Sequence, residues 1–215
     1  LYILMASIEI SATNVFKFLS LMTPFLLGFF LVLTSVINQD IKGIIYLLGT
    51  MLASVINIFF MNLIKSERSP EASPFCNIFT FPFSNTSNTE ERYESPSMTS
   101  MFIAFTIAYI CLPMSYNSPH SINFVLIITL VILFIIDVIT QTNQKCNSYG
   151  SSFLGTLVGF ILGAGWYGLL KNAGYNSLLY YSDFMSNKAV CKRPKKEYFK
   201  CDVFKNGTLL QTTNF

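Results

Sequence analysis

Histidine is almost missing from this chain. His120 is the only one in 215 residues, and it lies in a polar stretch between two long apolar runs, where it reads as a solvated loop residue. Catalysis through an imidazole nucleophile or a histidine acid–base pair is therefore set aside. Charge is scarce as well: 12% charged residues against 52% apolar and 15% aromatic lies far from the balance of a water-soluble domain. The five cysteines, Cys76, Cys111, Cys146, Cys191 and Cys201, are an odd set without a CxxC spacing, which excludes the usual zinc and dithiol redox motifs. Isolated thiols are the expectation, with Cys191 and Cys201 the pair near enough in sequence to bond in an oxidising space. No glycine-rich phosphate loop, metal-ligand cluster or serine triad occurs, so no metal, cofactor or nucleic-acid partner is expected.

What the chain has is apolar runs of bilayer length. At a rise of 1.5 Å per residue, about 20 apolar residues cross ~30 Å of hydrocarbon. Five such stretches occur: Phe18 to Ile37, Gly43 to Ile64, Ser97 to Met114, Ile122 to Ile139 and Ser152 to Leu170. They lack the two-residue alternation of barrel strands, and unpaired backbone amides in lipid are costly, so helices are the expected form. The fold class predicted is an all-α integral membrane protein of about five transmembrane helices with a short C-terminal β-hairpin tail. Its parts are an N-terminal interfacial segment (1–17), a helical membrane domain (18–170), and an interfacial segment with a basic tail (171–215). The chain opens at Leu1 without methionine, which leaves room for residues upstream. Leu1 to Ile10 lacks the basic region and small-residue cleavage site of a signal peptide.

The first two spans are separated only by Asn38, Gln39, Asp40 and a few neighbours, which predicts a tight antiparallel hairpin. The loop from Lys65 to Pro96 carries Phe79, Phe81 and Phe83 and is expected to fold back onto the bilayer surface. Five crossings place this loop, the N-terminus and the 140–150 loop on one face, which holds five Lys or Arg; the other face holds nine, so the tail side is read as cytoplasmic. Asn85-Thr86-Ser87 and Asn206-Gly207-Thr208 fit the glycosylation sequon on opposite faces, and neither is assigned.

In the last span Gly155, Gly159 and Gly163 recur at four-residue spacing and share one helix face, which permits close approach of a neighbouring helix. Packing within one chain is preferred to dimerisation. Trp166, Tyr167 and Lys171 mark the approach to the membrane surface, and Tyr175 to Phe184 is read as an interfacial segment. Asp137 is the one acid inside an apolar span; near the end of that span, it is expected to reach water or to hydrogen-bond a neighbouring helix. In the tail, Glu197 to Phe204 and Thr208 to Thr212 read as strands joined at Asn206-Gly207.

The order of the polar loops resembles the type 2 phosphatidic acid phosphatase superfamily of membrane phosphatases. Lys65, Arg68 and Pro70 follow the second span; Pro96-Ser97-Met98-Thr99 opens the third; Thr140-Gln141, then Asn147 and Ser151, precede the fifth. The resemblance covers about Gly43 to Leu170 and rests on order and spacing. It implies a phosphate site of which Lys65, Arg68, Ser97, Thr99 and Asn147 are the vestiges. Where that family has its nucleophilic and proton-donating histidines, this chain has Thr99 and Asn147, which implies a non-catalytic descendant. Lys65, Arg68 and Ser97 have a plainer reading as snorkelling and helix-capping residues, and that reading is preferred.

The segment Cys191-Lys192-Arg193-Pro194-Lys195-Lys196, leading into Tyr198-Phe199-Lys200-Cys201, is similar to the endings of small multi-span proteins found in the membrane beneath the capsid of large nucleocytoplasmic DNA viruses. This implies that Lys192, Arg193, Lys195 and Lys196 bind a protein partner such as capsid protein, and that the chain resides in a virion inner membrane. The expected role is structural or scaffolding. The alternatives are a lipid-phosphate phosphatase-like enzyme or lipid-binding protein, and an accessory subunit of a membrane complex.

Overall fold

A computed structural model describes residues 12–73, 76, 93–117 and 122–180, and the backbone of 200–205 and 208–214. Among the described residues six α-helices follow one another: α1 (Ala12–Leu21), α2 (Thr23–Ile37), α3 (Lys42–Ile64), α4 (Met98–Asn117), α5 (Phe124–Asn143) and α6 (Tyr149–Asn172). Four of them, α3 to α6, are long and apolar enough to cross a membrane. The chain is a helical integral membrane protein by that measure.

The first predicted span is not one helix. It is interrupted at Met22, between α1 and α2, where Pro24 enters the first turn of α2. Proline lacks an N–H and its ring collides with the carbonyl four residues back, so a helix restarts at a proline more readily than it runs through one. With 15 residues, α2 alone extends about 22 Å. Residues 12–17, expected in an interfacial segment, are part of α1, while 1–11 lie outside the described residues.

The α2–α3 hairpin is tied by its own polar residues. The Ser35 hydroxyl lies 2.7 Å from the Asp40 carboxylate, which also accepts from the Lys42 amide at 3.1 Å, while the Gly43 amide donates to Ser35 Oγ at 2.9 Å. A Cβ at Gly43 would sit 2.9 Å from the Val32 backbone, so the two helices approach here at backbone contact.

Helix α4 is the centre of the bundle. Met101, Ile103, Phe105, Tyr109 and Met114 are all but inaccessible, and Tyr46 of α3 packs among Phe102, Phe105 and Tyr109 with ring centroids about 6 Å apart. The outward faces of the other helices carry large apolar side chains instead: Phe30, Val55, Phe59, Val125 and Ile161 are all more than half exposed. In water so much contiguous apolar surface would drive association; facing lipid it costs nothing.

Of the segment read as interfacial, Tyr175 to Tyr180 are described, and Tyr175, Asn176 and Ser177 are exposed. After a short 3₁₀ turn at Asn176–Leu178, Leu179 and Tyr180 are buried against the α3–α4–α6 core, and the Tyr180 hydroxyl donates to the Leu31 carbonyl at 2.8 Å. Lys171 lies over the rings of Tyr116 and Tyr167 at 4.9 and 5.6 Å, a cation–π arrangement suited to the membrane surface. Residues 186–215 form a separate compact unit. In it Lys200–Lys205 and Thr208–Asn214 pair as antiparallel strands β1 and β2, with a register shift between Val203 and Phe204.

Candidate functional site

The polar residues of interest collect at the end of the bundle where α4 and α6 begin and α3 and α5 finish. Ser97 and Ser148 are the residues that cap the two helix starts. Ser97 Oγ accepts from the Ser100 amide at 3.4 Å, and Ser148 Oγ from the Ser151 amide at 3.2 Å. The helix starts are then stitched together, because the Ser97 amide donates to the Ser151 carbonyl at 3.0 Å and Ser151 Oγ donates to the Glu94 carbonyl. Asn57 of α3 joins them from the side, its amide donating to the Pro96 carbonyl at 3.1 Å.

Three of the residues implied by the phosphatase resemblance come together here. Ser97 Oγ lies 3.2 Å from Thr99 Oγ1 and 2.9 Å from the Asn147 amide. With the Asn147 oxygen toward Ser97, it accepts the serine proton and its nitrogen donates to the carbonyls of Cys146 (2.9 Å) and Glu94 (3.3 Å), which satisfies both ends of the amide. All three side chains are buried. Lys65 does not join them: it is exposed, at φ 51° in the left-handed turn that ends α3, with its amide on the Met61 carbonyl. Arg68 is half-buried in the segment that returns beside Tyr93–Glu94 through the Glu67–Tyr93 bridge and the Glu94 amide on Ser66.

The glycine stripe closes the space behind Ser97. A Cβ at Gly155, Gly159 or Gly163 would meet the carbonyl oxygen of Ser97, Met101 or Phe105 respectively, so three positions four apart on α6 are matched by three positions four apart on α4. These glycines are thus packed inside the chain.

Asp137 corrects an expectation. Helix α5 continues to Asn143, so the side chain does not stand at a span end; it is inaccessible to solvent, and neither carboxylate oxygen makes a well-formed hydrogen bond. Thr99 and Gln141 are close enough to act on it, and no cationic side chain among the described residues does so. Gln141 sits one turn along the same helix face, with its Oε1 3.4 Å from the Asn147 amide.

A second correction concerns cysteine. Cys76 and Cys146 form a disulfide, although 70 residues separate them. Sequence spacing did not reveal the pair because the loop after α3 returns across the α5–α6 turn, where the Ser73 amide donates to the Gln144 carbonyl at 3.1 Å and Glu71 pairs with Lys145. Cys111 is a free, half-buried thiol. Cys191, the side chain of Cys201, His120, the loop phenylalanines, both sequons and the basic residues Lys192, Arg193, Lys195 and Lys196 lie outside the described residues or side chains.

No protein family, curated protein or solved structure matches this chain. Among the described residues no group of three His, Cys, Asp or Glu side chains gathers as a metal centre. Sequence reasoning passed over Asn57, the Cys76–Cys146 pair and the Asp137–Gln141 face. The four-residue spacing of Asp137 and Gln141, and an asparagine within an apolar span, are the signals that mark two of the three.

Proposed function

We propose that this protein is a non-catalytic structural membrane protein, a scaffold whose helical bundle sits in lipid and whose basic tail engages a protein partner. The observation that carries the reading is the contact of the Asn147 amide with Ser97 Oγ at 2.9 Å, in a cluster sealed by Gly155 against the Ser97 carbonyl. The side chains that would line a phosphate site are spent on one another, and neither Thr99 nor Asn147 supplies a nucleophile or proton donor at neutral pH.

The bundle in this proposal crosses the membrane five times, with α1 and α2 together making the first crossing. The Cys76–Cys146 bond supports placing its end of the bundle in an oxidising compartment, since structural disulfides are rare in reducing ones. The C-terminal end of α6 then faces the opposite side, which is also the side favoured by the distribution of Lys and Arg. The tail's similarity to virion membrane proteins makes capsid protein the partner class to test first.

Two measurements test the reading. Purified protein in detergent is expected to release no phosphate from phosphatidic acid; turnover that disappears with Ser97→Ala or Arg68→Ala would establish the phosphatase alternative instead. Crosslinking through Lys192, Lys195 and Lys196 in the intact membrane or particle is expected to capture a protein. Crosslinks to lipid alone, or to redox subunits, would remove the scaffold reading.

A further inference from the structure

Between α1, α2 and α5 the bundle carries a groove of about 360 Å³, lined by Leu19 and Ser20 of α1, Thr23, Leu27 and Phe30 of α2, and Leu133 of α5 among others. Ser20 and Thr23, on either side of the helix break at Met22, are buried and small where their neighbours are leucine and phenylalanine, and this difference in side-chain volume makes room for the groove. Leu19, Leu26 and Phe30 line it too and are exposed, so it opens onto the apolar outer surface that the bundle turns to lipid. Its volume lies at the small end of ligand sites, about 300–1,000 Å³, which suits a single flexible chain rather than a helix about 10–12 Å wide. Ser20 also brings an unsatisfied polar atom: its Oγ has no hydrogen-bond partner, whereas the Thr23 hydroxyl donates to the Leu19 carbonyl at 3.2 Å. A hydroxyl surrounded by hydrocarbon gains most from an acceptor that arrives with hydrocarbon attached.

We infer that this groove binds one esterified acyl chain of a membrane glycerophospholipid, with the chain along α2 from Thr23 to Phe30 and the ester carbonyl accepting from the Ser20 hydroxyl. Helices α2 and α3 are antiparallel through their hairpin, so α2 begins at the end of the bundle where α3 finishes. Ser20 and Thr23 therefore mark the end of the groove nearer the membrane surface on the disulfide side. Phe30, about 10 Å further along α2, marks its deeper end, which is the order of ester and hydrocarbon in a lipid. A chain held there fills the seam between the broken first span and α5. The inference goes beyond the scaffold reading and does not depend on what the tail binds.

The test uses the full chain in detergent and a phosphatidylcholine that carries a photoreactive diazirine midway along one acyl chain, with the labelled residues mapped by mass spectrometry. Saturable labelling concentrated on Leu26, Leu27, Leu133 and Ile136 is expected, ahead of more exposed outward residues such as Val55 and Phe59. Ser20→Ala should weaken it about 2- to 10-fold, the worth of one hydrogen bond. The ether-linked analogue, which lacks the carbonyl, should lose the same factor on the wild type and nothing further on Ser20→Ala. Leu26→Trp, which sets an indole at the mouth of the groove, should remove labelling of Leu133 and Ile136, whereas Val55→Trp on the outer face of α3 should leave it unchanged. Labelling spread over the outer surface in proportion to exposure would show ordinary bulk lipid and overturn the inference, as would equal binding of ester and ether lipids by the wild type. A dimer, seen by light scattering, that Leu26→Trp dissociates would put a second copy in the groove and overturn it too. Should either groove variant fail to fold, the wild-type labelling pattern and the ester–ether comparison still decide.

Discussion

The Ser97 carbonyl oxygen occupies the place that a side chain on Gly155 would need. This one relationship fixes how near α4 and α6 lie at the polar end of the bundle, and it recurs one and two turns further along at Gly159 with Met101 and Gly163 with Phe105. Each added methyl there would collide with backbone, which cannot rotate away. Gly155→Ala and Gly159→Ala are accordingly expected to lower stability by about 1–3 kcal/mol or more. Gly165→Ala and Gly168→Ala, on the same helix with nothing within 4 Å, should leave stability unchanged or raise it by about 0.5–1 kcal/mol. Unfolding of the four variants in one detergent makes the comparison, and equal losses would contradict the backbone contact.

The Cys76–Cys146 bond closes a loop of 70 residues in sequence separation. Chain-entropy reasoning gives such a closure about 4 kcal/mol of stabilisation, an upper figure because the open chain retains structure. Reduction, or Cys146→Ser, is expected to lower the unfolding midpoint and to slow migration in an SDS gel relative to the unreduced wild type, while Cys111→Ser should do neither. Alkylation before and after reduction counts the thiols: one of Cys76 and Cys146 reacting without reductant would show the bond to be absent.

Tyr46 and Thr106 form a buried pair, hydroxyl to hydroxyl at 2.7 Å, linking α3 to the centre of α4. The Thr106 hydroxyl also donates to the Phe102 carbonyl at 2.8 Å, so it keeps a partner when the tyrosine oxygen is removed. Tyr46→Phe should therefore cost only about 0.5–1.5 kcal/mol. Asn57→Ala is expected to cost more, about 1–3 kcal/mol, because it strips the Pro96 carbonyl of its buried donor. Chemical unfolding of both variants orders them, and the reverse order would misplace the Asn57 contact.

The exposed pair of Glu71 and Lys145 is expected to matter little. Lys145 holds the Glu71 carboxyl below its ordinary range, chiefly by hydrogen bonding and then by charge. A lowered folded-state value means that any stabilisation is present in full above the ordinary carboxylate range and is lost as pH falls through the lowered value. Because both side chains are mostly exposed, solvent and salt screen the pair. Glu71→Gln should shift the unfolding midpoint by no measurable amount at pH 7 in 0.15 M salt, whereas a clear loss that vanishes in acid would show the pair to be shielded.

The sequence by itself determined that the chain is a bundle of apolar helices for a bilayer, because run length against hydrocarbon thickness is a one-dimensional quantity. It also marked the α2–α3 turn and the face shared by Gly155, Gly159 and Gly163, which depend only on local spacing. It misread the first span, where Pro24 outweighs the apolar composition, and it did not mark Leu179 and Tyr180 as core residues. Only the tertiary structure decided that Cys76 meets Cys146, that Ser97, Thr99 and Asn147 converge, and that Asp137 is sealed beside Gln141. Those facts depend on how α4, α5 and α6 lie against one another. Partners 50 and 70 residues apart are set by the packing of whole helices, which leaves no periodic mark in the chain.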